Sequence, residues 1–134
     1  MSVKQQVATF LSSPVIGVVG ASSNRDKFGN KVLRCYLEND RQVVPVHPKE
    51  SIIEGLTCVP SVAELPEEVN SISVITPPQI TEQVVKAAVD KGIENIWMQP
   101  GAQSEAAISF CREQGVNLIA DGTCVLVELG FSGH

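Results

Sequence analysis

Apolar residues along this chain form short continuous runs, which alternate with segments where they recur every three or four positions. The continuous runs have the length of a strand and are rich in Val and Ile. A strand that is apolar at every position is typical of a parallel sheet buried on both faces. The predicted strands are residues 15–20, 42–46, 71–76, 93–98 and 116–120, and the predicted helices are 2–12, 28–39, 78–91 and 104–114.

Strands that alternate with helices along the whole chain predict the α/β class, as a single doubly wound Rossmann-like domain. We expect a mostly parallel sheet of five or six strands and favour the order 3-2-1-4-5, because connections are short and crossovers right-handed. No repeat or linker interrupts the pattern, so residues 1–134 are interpreted as one domain with helix 2–12 packed on it. In the less regular part, Glu54-Gly55 indicates a turn, and Ser61 to Glu64 fits the capping box of a short helix.

The composition supports one buried core and a cytoplasmic location. The chain has 134 residues, of which 43% are hydrophobic and only 4% aromatic, so aliphatic side chains must fill the core. No apolar run approaches the roughly 18 residues that a membrane-spanning helix needs. The first residues carry no hydrophobic block of the kind found in signal peptides. We therefore expect a cytoplasmic protein without a membrane partner.

The net charge of −5 is unevenly distributed. Residues 1–50 hold seven Lys or Arg against four acids, whereas residues 51–134 hold three against eleven. An acidic protein of this kind is not expected to bind nucleic acid or anionic membranes. Its basic first part can still bind a small polyanion.

The cysteines predict neither a metal site nor a redox motif. Cys35, Cys58, Cys111 and Cys124 are scattered, and with His47 and His134 they complete no zinc spacing. We interpret them as free thiols packed like small hydrophobic side chains.

The first candidate site is the loop after the first strand, because ligands of open α/β sheets lie outside the carboxyl ends of the strands. Gly20 permits a tight turn, and Ala21, Ser22 and Ser23 are small enough for a ligand to approach the backbone. Their N–H and hydroxyl groups precede a helix, and Arg25 adds positive charge, so the loop is typical of an anion site. The pattern is not a complete Gly-x-Gly-x-x-Gly fingerprint, and the serines also fit a role as helix caps.

The residues at the end of the second strand indicate which nucleotide the site would accept. It reads Val46-His47-Pro48-Lys49, whereas a domain selective for NAD places an acid there to bind the ribose hydroxyls. A lysine favours a phosphorylated ribose, which leaves NADP or coenzyme A, unless Lys49 is an ordinary solvated side chain. Beyond the third strand, Thr76-Pro77-Pro78 predicts a rigid apolar wall that offers no N–H to a phosphate from its prolines.

Together these loops resemble the family of small CoA-binding proteins, whose fold is shared with the CoA-binding N-terminal domain of the succinyl-CoA synthetase α subunit. The resemblance begins near residue 12 and reaches the C-terminus. The segments that carry it are Gly20-Ala21-Ser22 with Arg25, Pro45 to Lys49, Thr76-Pro77-Pro78, Trp97 to Gly101, and Cys124 with Glu128.

The resemblance implies coenzyme A as the ligand and a role for each loop. In the first loop, Ala21, Ser22, Ser23 and Arg25 would hold the pyrophosphate and the nearby phosphate. Lys49 would bind the 3′-phosphate, with Val46, His47 and Pro48 around the adenosine. Thr76, Pro77 and Pro78 would pack on the nucleotide and the upper pantetheine, and Gln99, Pro100 and Gly101 would lie further along, towards the thiol end.

This chain departs from the family pattern at two places. His47 stands where the family commonly has Asn, and Gly122-Thr123 stands before Cys124 where it often has Asp-Arg, so an arginine contact is missing. Cys124 itself fits either a packed thiol or a mixed disulfide with CoA.

No catalytic constellation is visible in the sequence, so we expect a protein that is not an enzyme. In the ligase relatives, phosphate passes through a histidine on a second domain, for which 134 residues leave no room. The sequence therefore predicts a carrier, sensor or regulator that binds CoA or an acyl-CoA, in a protein that is plausibly a homodimer. The alternatives are an NADP-binding oxidoreductase or redox sensor, which lacks a Tyr-x-x-x-Lys pair here, and an interaction protein whose Rossmann fold has no ligand.

Overall fold

The computed structural model describes residues 1–132 and contains a five-stranded parallel sheet with helices on both faces. The elements in chain order are α1 (Val3–Leu11), β1 (Val15–Val19), α2 (Phe28–Glu38), β2 (Gln42–Val46), β3 (Ile52–Ile53), β4 (Leu56–Thr57), a 3₁₀ turn (Val62–Glu64), β5 (Ser71–Val74), α3 (Pro78–Lys91), β6 (Asn95–Met98), α4 (Glu105–Glu113), β7 (Asn117–Ile119) and α5 (Val125–Leu129). The parallel sheet is formed by β1, β2, β5, β6 and β7, and β3 and β4 form a small antiparallel hairpin. The predicted α/β class is confirmed.

The favoured strand order is wrong. The sheet runs β2-β1-β5-β6-β7, so the third parallel strand lies between β1 and β6 and not outside β2. The outer edge of β2 is already occupied, because His47 N–H donates to Val59 O at 3.0 Å and Val59 N–H donates to Pro45 O at 3.0 Å. The chain after β2 thus covers this edge before it crosses to the other side of β1.

Side chains of the sheet alternate between two apolar layers. On one face α3, α4 and the 3₁₀ turn cover β5 and β6. On the other, α1, α2 and α5 pack on β1 and on Trp97, which is fully buried. The Trp97 ring meets Phe10 edge to face at 5.3 Å between centroids, and its Nε1 donates to Thr123 O at 2.9 Å. In a chain with few aromatic residues, this pair fixes α1 and the start of α5 on the sheet.

Most predicted helix ends agree with the structure, and two local details differ. Gly92 ends α3 in the left-handed region, at φ 90°. The capping box predicted at Ser61 is not formed: its side chain caps nothing and the segment is a single 3₁₀ turn. The short helix α5 was not predicted. Within residues 1–132 no helix has both the length and the apolar content to cross a bilayer.

Candidate functional site

A groove follows the carboxyl ends of the strands. It consists of three depressions: a cavity of about 480 Å³ between the end of β2 and α3, one of about 410 Å³ at the N-terminus of α2, and one of about 250 Å³ beside Pro100. The first two share Gly20, His47 and Thr76, and Thr76 also lines the third. We call this continuous depression the strand-end groove.

Ten of the fifteen residues predicted for the site line the strand-end groove. They are Gly20, Ala21, Ser22, Val46, His47, Pro48, Thr76, Pro77, Pro100 and Gly101. Ser23, Arg25 and Lys49 are exposed on the loops that border it, and Pro78 is exposed at the start of α3. Gln99 is fully buried below it.

Two glycines permit close backbone contacts of the loop after β1, one with Ile75 beyond β5 and one with α2. A Cβ on Gly20, whose φ is +97°, would lie 2.7 Å from Ile75 O. A Cβ on Gly29 would lie 2.0 Å from Gly20 O, which is impossible without moving the helix. Gly29 was not among the predicted site residues, although a glycine in the first turn of a helix, where its propensity is poor, is a signal of close approach.

The N-terminus of α2 offers unused donors to the groove. Among the hydrogen bonds of residues 1–132, none uses the N–H of Phe28 or Gly29. Lys27, at the N-cap position, provides no side-chain cap. Both N–H groups lie at the positive end of the helix dipole, and the depression beside them is suited to an anion.

A buried amide holds the loop in this conformation. Asn30 is fully buried, and its Nδ2 donates to Ser22 O at 2.9 Å and to Glu54 Oε2 at 3.0 Å. Its Oδ1 accepts from Arg34 Nε at 2.6 Å, and Arg34 Nη2 donates to Arg25 O at 3.1 Å. Neither Asn30 nor Arg34 was predicted from the sequence as a site residue. The available signal for them was that both are polar and lie four positions apart on the packed side of α2.

Two carboxylates contact the residues predicted to bind phosphate. Arg25 pairs with Glu54 at 3.3 Å, and Ser23 donates both its N–H, at 3.3 Å, and its Oγ–H, at 2.6 Å, to Glu50. The pKa of Glu54 lies below its usual value, chiefly because of the Asn30 hydrogen bond, with Arg25 adding to the effect. The Ser23 donors and the Nε and Nη2 groups of Arg25 are therefore engaged by carboxylates in this structure.

His47 and Lys49 have different surroundings at the end of β2. His47 Nδ1 accepts from Lys49 N–H at 3.0 Å and from Glu50 N–H at 2.9 Å, so the imidazole proton is on Nε2. Nε2 lies 3.9 Å from Glu50 Oε2. The exposed Lys49 ammonium pairs with no carboxylate in residues 1–132.

Gln99 supports α5 and does not line the groove. Its Nε2 donates to Ser73 Oγ at 3.0 Å and its Oε1 accepts from Val125 N–H at 3.0 Å. Tyr36 OH donates to the same Ser73 oxygen at 3.1 Å. This buried network fixes the first turn of α5 and, with it, the partly exposed Cys124 at the N-cap position.

The four cysteines are free thiols in two different environments. Cys35 and Cys111 are fully buried, and burial is the main reason that the pKa of each thiol is raised to about 11. Cys58 and Cys124 are partly exposed. His134 lies outside the described residues, and no cluster of metal-ligating side chains occurs within the described part, 1–132.

We expect a thiol reagent at pH 8 to modify Cys58 and Cys124 in the folded chain, and Cys35 and Cys111 only after unfolding. With a pKa of about 11, Cys35 and Cys111 hold little thiolate at that pH, and full burial also blocks access to them. Mass spectrometry of the modified peptides would measure the modification rate of each cysteine. The denatured chain, in which all four thiols react, is the control. Modification of Cys35 as fast as Cys124 would contradict the expectation.

Comparison with known proteins assigns the chain to a family. A model described as CoA binding domain matches residues 15–130. The alpha subunit of the ADP-forming acetate–CoA ligase II of Pyrococcus furiosus is 28% identical over 106 residues, which cover 78% of this chain and 23% of that subunit. The ADP-forming acetate–CoA ligase I of Archaeoglobus fulgidus is 30% identical over 70% of this chain, which is 14% of the ligase. The chain thus spans less than a quarter of the length of these ligases.

Solved structures show the same fold. A conserved hypothetical protein from Pyrococcus furiosus is 43% identical, with a TM-score of 0.81 over 84% of this chain and 97% of that protein. An acetyl-coenzyme A synthetase of Ca. Korarchaeum cryptofilum, 23% identical, gives a TM-score of 0.72 over 81% of this chain and 26% of the synthetase, and this likeness concerns the fold alone. The resemblance predicted from the loops is confirmed, and the chain belongs to the CoA binding domain family.

Proposed function

We propose that this chain binds coenzyme A, or an acyl-CoA, in the strand-end groove. The observation that carries the proposal is the arrangement of the groove, in which an apolar cavity and an anion-accepting helix terminus adjoin each other beside Lys49. Coenzyme A combines an adenine ring, a pyrophosphate and a 3′-phosphate, and so needs all three features. Membership of the CoA binding domain family supports the same ligand.

The pyrophosphate belongs at the N-terminus of α2. The unused N–H groups of Phe28 and Gly29 supply directed donors, and the small residues Ala21 and Ser22 let a phosphate approach the backbone. Lys27, which lines the same depression, supplies a full positive charge. Ser23 and Arg25 join this site once they leave their carboxylate partners.

The adenosine belongs in the cavity of about 480 Å³ beside β2. Its walls are mostly apolar, with Val46 and Pro48 on one side and Ile80 and Val84 of α3 on the other, a slot suited to a flat ring. Lys49 follows Pro48 directly and pairs with no carboxylate within residues 1–132, so its ammonium is available to the 3′-phosphate.

The pantetheine arm follows the third depression, between Thr76-Pro77 and Pro100-Gly101. Because Gln99 is buried below the groove, we assign it the support of α5 rather than a ligand contact. Pro78, on the outside of α3, is likewise assigned to the helix start.

We propose further that the chain acts by binding, as a carrier, sensor or regulator of CoA. His47 lines the groove, but its Nδ1 accepts two backbone N–H groups and is not available as a base. The other groove-lining side chains named above provide packing and hydrogen-bond donors, which suit recognition of the cofactor.

Calorimetry with CoA, dephospho-CoA and NADPH tests the proposal. We expect CoA to bind about fivefold more tightly than dephospho-CoA, because an exposed ammonium–phosphate pair contributes about 1 kcal/mol. Lys49→Ala should remove most of this difference and leave dephospho-CoA affinity unchanged. Lys91→Ala, at the opposite end of α3, removes the same charge and serves as the control.

Equal affinity for CoA and dephospho-CoA in the unaltered chain would remove the role given to Lys49. Binding of NADPH without binding of CoA would overturn the proposed function and favour the oxidoreductase alternative.

A further inference from the structure

The carboxylate of Glu50 ties the loop after β2 to the loop after β1. It accepts the N–H of Ser23 at 3.3 Å and the Ser23 hydroxyl at 2.6 Å. Hydrogen bonds to an ionised acceptor are short and about twice as strong as neutral ones. Both donors belong to the loop in which the pyrophosphate is placed above. A carboxylate therefore uses donors that a phosphate of the ligand would also use.

Glu50 and Glu54 contact the same loop but differ in how firmly they are held. Glu54 accepts from the buried Asn30 and pairs with Arg25, and its side chain is 21% exposed. Glu50 is 35% exposed and has no Lys or Arg partner in the described chain. Glu54 is thus part of the framework, whereas Glu50 can rotate into solvent.

The groups that face Glu50 do not neutralise its charge. His47 Nε2 is 3.9 Å away, and its Nδ1 is engaged by backbone N–H groups. The thiol of Cys58 is the other neighbour, and its raised pKa is due first to burial and then to the charge of Glu50. A pyrophosphate that enters the groove while Glu50 remains on Ser23 meets an uncompensated negative charge.

We infer that Glu50 competes with the phosphate of the ligand for the donors of Ser23. This competition sets the affinity of the site and favours strongly charged ligands. This inference rests on the proposed function. A diphosphate has the charge needed to displace Glu50 from Ser23, whereas a weak anion does not.

Glu50→Gln tests the competition, because glutamine keeps the size and one acceptor oxygen but loses the charge. We expect CoA to bind about fivefold more tightly, since a nearby repulsive charge is removed from a partly screened site. Affinity for ADP should rise by a similar factor, and affinity for adenosine should stay unchanged. Calorimetry at fixed ionic strength would measure each ligand.

Glu67→Gln is the matched control, because it makes the same change in net charge at an exposed position before β5, at the amino ends of the strands and so opposite the groove. Its CoA affinity should equal that of the unaltered chain. Glu50→Ala, which removes the acceptor as well, should also tighten CoA binding, and thermal melting would establish that each variant is folded.

The outcomes separate the inference from the proposed function. CoA binding by the unaltered chain, with equal or weaker binding by folded Glu50→Gln, would overturn the inference and leave the function standing. A gain for adenosine as large as that for CoA would also overturn it, because charge would not be the cause. If neither the unaltered chain nor the variant bound CoA, the proposed function itself would fail.

Discussion

We expect Gly29→Ala to abolish measurable CoA binding and to destabilise the fold. The added Cβ would lie 2.0 Å from Gly20 O, and both groups are backbone, so no side chain can move aside. Separating α2 from the loop costs about 1–3 kcal/mol as overpacking does elsewhere, and it moves the free N–H groups of the helix away from the groove. Urea unfolding would measure the stability and calorimetry the affinity.

Gly92→Ala is the control for this substitution. Gly92 has φ +90°, so alanine is strained there too, but its Cβ would meet no atom within 4 Å. We expect a cost of about 1–2 kcal/mol from the left-handed backbone and no change in CoA affinity. CoA binding by folded Gly29→Ala at the level of the unaltered chain would show that the close approach is not required for the site.

The second large effect is expected from Asn30→Ala. This change removes two hydrogen bonds from Nδ2 and leaves the buried Arg34 without its acceptor at 2.6 Å. Arg34 keeps its bond to Arg25 O, but a buried charged donor left without the Asn30 acceptor costs about 3 kcal/mol. The carbonyl of Ser22 is released as well, so we expect CoA affinity to fall together with stability.

Asn39→Ala provides the comparison at the other end of the same helix. Asn39 Nδ2 donates to Cys35 O at 2.8 Å and to Gly130 O at 3.2 Å, away from the groove. Its loss should cost about 1 kcal/mol and leave CoA binding unchanged. Equal effects of the two variants on affinity would mean that Asn30 acts only through general stability.

Local patterns predicted the elements well, because each depends on residues close in the chain. The apolar run 15–20 became β1, and the helical spacing of 78–91 became α3, which ends at Gly92. The short helix α5 was missed because only five residues form it, and its first turn is fixed by Gln99, 26 positions earlier. The capping box at Ser61 failed because the following segment closes only one 3₁₀ turn.

The strand order was not available from local patterns. It depends on whether the chain after β2 stays at the edge of the sheet or crosses over. The hydrogen bonds between Val59 and the end of β2 decide this, and nothing in the run of residues around Val59 distinguishes it from an ordinary loop.

The candidate site was predicted only in part, because contacts between distant loops again leave no local pattern. Topology alone indicates which loops meet at the carboxyl ends of the strands, and ten predicted residues do line one groove there. The sequence did not indicate which of their hydrogen-bond donors are free to bind a ligand. Ser23 and Arg25 are engaged by carboxylates 27 and 29 positions away, and no sequence pattern indicated either pair.

The sequence by itself determined the alternation of strands and helices, the fold class, and the loops that carry Gly20 and Lys49. These follow from periodicity and residue type over a few neighbouring positions. The tertiary structure alone decided the strand order, the contact that requires Gly29, and the pairing of the phosphate-binding loop with Glu50 and Glu54. Such features arise where separate loops meet, and the free energy of each contact depends on groups that only the folded chain brings together.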